Sequence, residues 1–453
     1  MKKTIYILTA LLMFTGCLDI KLESQFSDPD AITTVGTARE LLASAYNSLP
    51  RFQYELSVLS DDFETVELSS KAADMVNLYK WQEKAIEELS PQIWTEYYLT
   101  ISYINALIPR LDNVVTTGTE EEQELQKIRS EAKALKAMCY FDLLRIYAPN
   151  WSEADMNTDG IILKDRLELD FLPRSSMQKC AEEIETLLTE AARTDNSDAA
   201  VYYLSSDAIK ALRAEFELYR GQYKAAISTG SELLTNAEEH WTSTAYNNLW
   251  SANESSERIF APYIFNSFYT GLNYDTEKGD YFVVNSGIRY EDGDIRSTWS
   301  CFNGPQTRNF GKYNKMFYDK TDIRYINTMR YSGVCFTVAE AYARNSQPDK
   351  AIALMNRYLA ARNASLMDTG LSGDALIEAI MKEKQKEFLG EGTRWFDLKR
   401  MKADIKKNNY SGPATTVKSN DYRWLFPIPA IEYRYNHEIS NINPGWTRQT
   451  VDD

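Results

Sequence analysis

Two stretches of this chain repeat one pattern: AEFELYRGQYKAA at 214–226 and AEAYARNSQPDKA at 339–351. Each sets a small residue on one apolar-periodic run and another twelve positions later, beyond a short polar turn. Small side chains at both points let two antiparallel helices close to backbone contact, so the chain is constrained to build helical hairpins. One copy would say little, because alanine is common in helices; two copies with matching turns say much more. The same three- and four-residue spacing runs through ARELLASAYNSL (38–49), IWTEYYLTISYINALIPRLDNVV (93–115) and EEEQELQKIRSEAKALKAMCYFDLLRIYA (120–148). Further helices are expected at 175–193, 206–220, 223–235, 333–345, 348–362 and 373–401. Thr119, Ser206-Asp207 and Pro348-Asp349 mark starts.

The paired small residues resemble the eighth and twentieth positions of a tetratricopeptide repeat. Between the two copies the character changes. Residues 241–331 are rich in aromatics interleaved with Asn, Asp, Gly and Ser, with strand-like runs RIFAPYIF and DYFVVNSGIRY. A smaller loop-rich insert is expected at 50–92. The expected fold is mainly α: tetratricopeptide-like helix pairs form a scaffold (about 30–235 and 332–402) beside an irregular, loop-rich, partly β half that binds ligand. Residues 403–453 would strap the C-terminal end, and 17–453 would form one domain.

MKKTIYILTALLMFTGC opens the chain with two lysines, an apolar run from Ile5 to Phe14 and a Thr15-Gly16-Cys17 ending. That is the layout of a secretory signal, with an apolar run too short to span a bilayer. A cysteine directly after small residues looks like a lipobox, so residues 1–16 are expected to leave and Cys17 to carry the lipid. The net charge is −15, and two units more negative without Lys2 and Lys3. So acidic a surface repels phosphate backbones and argues against nucleic acid as a partner. The other cysteines, Cys139, Cys180, Cys301 and Cys335, show no CxxC spacing, so zinc and thioredoxin chemistry have no support; buried thiols are expected. No metal site is expected, no cofactor is called for, and the sequence is silent on a structural calcium ion.

The stretch EFLGEGTRWFDLKRM (387–401) crowds Glu387, Gly390, Glu391, Gly392, Arg394, Trp395 and Asp397 together. As an acid–base pair its carboxylates would project from one helical hairpin, whereas a glycosidic bond must be flanked from opposite sides. As a phosphate cradle it would set Glu391 against the anion. The structural reading fits better. A helix runs to about Phe388, the two glycines break it at positive φ, and a second short helix turns Trp395, Phe396 and Leu398 inward. Arg394 is then expected to pair with Glu387 or Asp397. LFPIPAIEYRYNHEISNINPGW reads likewise as an extended run, a short helix over 431–436 and a turn closed by Trp446.

Four stretches together resemble the SusD/RagB family of surface lipoproteins: CLDIKLES after the signal, SDDFE at 60–64, EKQKEFLGEGTRWFDLKRM at 383–401 and RWLFPIPAIEYRYNHEISNINPGW at 423–446. The helix over 331–343 also fits the family, with departures at Tyr331-Ser332 and Cys335-Phe336. The resemblance implies a non-catalytic nutrient-binding protein lipid-anchored at the outer membrane and facing the extracellular side. Its partner would be a TonB-dependent transporter of the SusC type. The implied ligand is a glycan for most members and a peptide for some. A surface glycoside hydrolase and a tetratricopeptide-type adaptor are the rival readings.

Sugars present apolar C–H faces rimmed by hydroxyls, so a ring plus directional Asn, Asp or Arg groups is the expected site. Two segments supply these in loop context. One offers Tyr79 and Trp81, and the other offers Trp241, Trp250, Tyr269, Tyr274, Tyr281, Trp299, Asn303 and Arg308. Trp299 leads, because polar residues flank it and no helical stripe claims it; Trp81 is second.

Overall fold

The structure is a computed structural model that describes residues 32–152, 155–168, 170–251, 253–263, 282–301, 308–312 and 325–447. Cys17, the signal segment, Tyr269, Tyr274, Tyr281 and Asn303 lie outside the described residues.

Helices dominate. In chain order they are α1 (Val35–Asn47), α2 (Gln53–Leu59), α3 (Ala73–Tyr79), α4 (Glu83–Arg110), α5 (Thr119–Tyr147), α6 (Met177–Ala191), α7 (Ser206–Tyr219) and α8 (Tyr223–Leu233). Then come α9 (Ser243–Asn248), α10 (Ser297–Ser300), α11 (Tyr331–Arg344), α12 (Pro348–Ala361), α13 (Gly373–Glu387), α14 (Thr393–Arg400) and α15 (Ala430–Tyr435). Local chemistry sets their ends. Thr34, Ser176 and Ser205 accept backbone N–H groups at the starts of α1, α6 and α7, and Pro348 opens α12, where its missing N–H costs nothing. Three glutamates in the first turn of α5 complement the positive end of its dipole.

The two repeated stretches form the hairpins α7–α8 and α11–α12. Ala214, Ala226, Ala339 and Ala351 are all fully buried, which is what close helix approach requires. The hairpins also pack on each other, α8 against α11. Gly230 permits it: a Cβ there would fall well inside 3.0 Å of Val338 Cγ2.

The run 373–401 divides into α13 and α14 around the Gly390–Gly392 turn, where the two glycines were expected to break it. One expectation changes. The 50–92 insert is largely helical, holding α2, α3 and the first turns of α4. Its helices are short and cut by Ser-Asp-Asp and Ser-Ser breaks, so each falls below the window in which helical periodicity stands out.

The described strands form three antiparallel pairs. β1 (Phe63–Thr65) pairs with β3 (Phe282–Val284) in the register Phe63↔Val284, Glu64↔Val283 and Thr65↔Phe282. β2 (Arg258–Phe260) pairs with β4 (Met329–Arg330), and β5 (Ile405–Lys407) with β6 (Thr415–Val417) in a hairpin. β2 and β3 lie inside the two strand-like runs of the sequence. The four cysteines from Cys139 on are free and buried. Among the described residues, no helix is long and apolar enough to cross a membrane.

Candidate functional site

The glycine turn after α13 organises the interior. Gly390 and Gly392 take φ of 73° and 79°, and a side chain at either would collide, with the Phe310 ring or the Gln53 backbone respectively. The turn presents Glu387 and Glu391 inward to a sealed ion cluster. Arg330 donates to Glu387 at 2.5 Å, to Glu391 at 2.9 Å and to Glu257 at 2.9 Å. Arg362 donates to both oxygens of Glu257 at 2.7 and 2.8 Å, and Lys312 to Glu391 at 2.8 Å. Three cations thus meet three carboxylates. Burial alone would push the Glu387 carboxyl up, yet Arg362, Arg330 and Lys312 hold it well below the usual carboxylate range. Fully buried and neutralised, Glu387 is placed to brace helices and has no access to a substrate.

Arg394 pairs with Asp61, at 2.7 and 2.9 Å, and not with Glu387 or Asp397 as its neighbourhood in sequence suggests. Glu387 belongs to the cluster above, and Asp397 is held by Lys384 and Arg400. Asp62 beside it accepts the Gly390 N–H at 3.1 Å. Trp395 is wholly buried and packs on Trp424 and Phe426, with ring centroids 5.7 and 5.6 Å away. The SDDFE, EGTRWFDL and RWLFPIP stretches therefore converge on one place.

Four of the proposed ligand platforms are corrected. Trp81 sits at φ 55° and is fully buried, its indole N–H donating to Leu59 O at 2.8 Å and its ring edge-on to Trp424. Tyr79 is fully buried, its hydroxyl donating to Asn408 O at 2.7 Å. Trp250 is buried beside Lys312, and Trp241 is buried as well. A ring with both faces in the core offers no surface to a sugar. Trp299 is half-buried on α10, its indole donating to Asn247 at 2.9 Å. Arg308 stays partly exposed at 38% of its side chain.

Arg308 leads to the surface where exposed groups gather. Its Nε donates to Val284 O at 3.0 Å while its backbone carbonyl accepts the Val284 N–H, so the 308 segment runs beside β3. On the next strand Glu64 accepts from Arg308, from Ser286 Oγ at 2.8 Å and from Asn408 Nδ2 at 2.9 Å. Asn408 begins the β5–β6 loop, which lies against β1 through the Tyr410 N–H to Thr65 Oγ1 at 2.8 Å. At its tip Tyr410 is 61% exposed. The result is a small platform bearing Arg308, Ser286, Asn408 and a solvent-facing ring, with Glu64 as its pinned centre. Tyr281 directly precedes β3, and Asn303 lies five residues before Arg308.

Sequence reasoning missed Tyr410 because it assigned 403–453 to a strap. The signal was present in NNYSGP: an aromatic among turn-forming residues with no apolar periodicity around it. Among the described residues, no group of His, Cys, Asp and Glu side chains is arranged to hold a metal ion.

Two family models match the chain. One, described as SusD family, covers residues 210–446, and the other, described as starch-binding associating with outer membrane, covers residues 18–218. A curated relative, SusD-like protein P38 of Formosa agariphila, is 24% identical over 93% of this chain and 94% of its own. Solved structures share the fold. A SusD superfamily protein from Bacteroides vulgatus aligns with TM-score 0.77 at 18% identity, over 92% of this chain and 100% of its own. A protein from the same species described as a putative sugar binding protein aligns with TM-score 0.72 at 19% identity, over 92% and 99%. With a family model spanning more than half its length over the glycine turn, the ion cluster and the C-terminal strap, this chain belongs to the SusD family.

Proposed function

We propose that this protein captures a glycan at the cell surface and passes it, uncleaved, to a TonB-dependent outer-membrane transporter of the SusC type. A lipid on Cys17 would hold it to the outer membrane, facing outward. Supporting this are the family membership, the starch-binding and outer-membrane wording of the second matching model, and a neighbour described as sugar binding. The observation that carries the binding reading is the exposed Tyr410 ring on the β5–β6 loop, whose first residue, Asn408, meets Arg308 and Ser286 at Glu64. A flat apolar face flanked by directional donors and acceptors matches a sugar ring with its equatorial hydroxyls. The buried carboxylates Glu387, Glu391 and Glu257 are sealed by cations, which suits a binding protein better than a hydrolase.

The test is calorimetric titration of the chain from residue 18 with a panel of soluble oligosaccharides and, in parallel, of peptides. Heat with one oligosaccharide class, and recovery of that sugar at its original length after prolonged incubation, is the expected result. Heat from peptides alone would replace the glycan by a peptide. Shortened products abolished by a single carboxylate substitution would make the protein an enzyme.

A further inference from the structure

Helices α2, α4, α5, α7, α11, α13 and α14 enclose a recess of about 190 Å³ that is separate from the Tyr410 platform. Aromatic rings form much of its wall: Phe141, Phe388 and Phe396 among them. Two arginines line it as well, and each is fixed by its terminal nitrogens. Arg145 is held by Asp142 and Glu215 and lies between the Phe141 and Phe396 rings, 4.1 Å from each centroid. Arg330, almost wholly buried, is held by Glu257, Glu387 and Glu391 and lies 4.3 Å from the Phe388 ring. The Nε–H of both arginines is buried and has no hydrogen-bond partner among the described residues.

A buried donor that stays unpaired is costly, the more so on a charged group, so an acceptor is wanted at both. The carboxylates that line the recess already accept from arginine or lysine. The lining is therefore specific in sign: the wall offers donors and aromatic faces. A cavity of about 150 Å³ is known to take benzene, so this one has room for a single ring with a small substituent. We infer that the recess is a second binding site, for a small planar monocyclic carboxylate, with its oxygens on the arginine Nε–H groups and its ring among the phenylalanines. The site is independent of the glycan platform, and either can fail without the other.

The probe is 4-fluorobenzoate, followed by fluorine NMR line broadening with the chain from residue 18. Binding with Kd of about 1 mM or tighter is expected. Ala211→Phe, which fills the recess from α7, and Arg145→Lys, which removes one Nε–H, should each weaken it by about tenfold or more. The circular dichroism spectrum and the response to oligosaccharide should stay as in the parent chain. If Ala211→Phe fails to fold, Arg145→Lys alone decides. No broadening, broadening that both variants retain, or a crystal structure of the probe-soaked protein with only ordered water in the recess would overturn the proposal.

Discussion

Glu387 shows how much rests on single side chains. It is fully buried and takes part in a balanced set with Arg330, Arg362, Lys312, Glu257 and Glu391. Such clusters contribute little net stability compared with an apolar core, but removing one member strands buried charge. Glu387→Gln should therefore lower the unfolding free energy by about 3–5 kcal/mol in urea denaturation, and a loss under about 1 kcal/mol would mean that the cluster is hydrated. Asp62 predicts a pH dependence of the opposite kind. Burial, with help from the Asp61 carboxylate, pushes it up to about 7, and burial pushes Glu55 up to about 7 as well. A carboxyl raised on folding contributes stability below its unfolded value, about 3.9 for Asp, and that contribution is lost as pH rises through 7. Glu387 and Asp397, held low, work the other way and lose theirs as pH falls. Unfolding free energy should thus decline from pH 5 to 7, and Asp62→Asn should remove up to about 1.4 kcal/mol per pH unit of that slope. Identical slopes in parent and variant would show that Asp62 stays ionised throughout.

At the level of elements, legibility in the sequence followed the range of the interaction. The hairpins α7–α8 and α11–α12 were readable because each is held by residues within one window: Ala214 with Ala226, and Ala339 with Ala351. The Gly390 and Gly392 turn was readable for the same reason. The partner of Arg394 was not, because Asp61 lies 333 residues away, and no local period points across that distance. The ligand rings were misread for a conformational reason. Trp81 is flanked by Lys80 and Gln82 and looks exposed, but its left-handed backbone turns the indole into the core. Tyr410 escapes a reading of 403–453 as one strap because it sits in the loop of the short β5–β6 hairpin inside that segment. The two kinds of glycine turn can be compared directly. Gly390 (φ 73°) faces Phe310, whereas Gly412 (φ 85°), in the β5–β6 loop, has nothing within 4 Å of where a Cβ would stand. Gly412→Ala should cost only backbone strain, about 1–2 kcal/mol. Gly390→Ala should cost clearly more in the same thermal or urea unfolding assay, and equal costs would mean that Phe310 moves aside freely.

The whole molecule separates holding from binding. The stretches that carry the family resemblance, SDDFE, EFLGEGTRWFDL and RWLFPIP, converge where Arg394 meets Asp61 and Trp395 meets Trp424 and Phe426. They say what the fold is and nothing about what it carries. The proposed ligand platform lies instead on short strands and a hairpin loop set on that frame, where Glu64 accepts from Arg308, Ser286 and Asn408. Chains about 20% identical share the architecture, and a shared fold does not by itself fix what is bound. The most direct measurement is titration of Tyr410→Ala with the oligosaccharide that binds the parent chain. Capture through this platform predicts an affinity about tenfold lower, with unfolding unchanged. Undiminished affinity in a folded variant would contradict it.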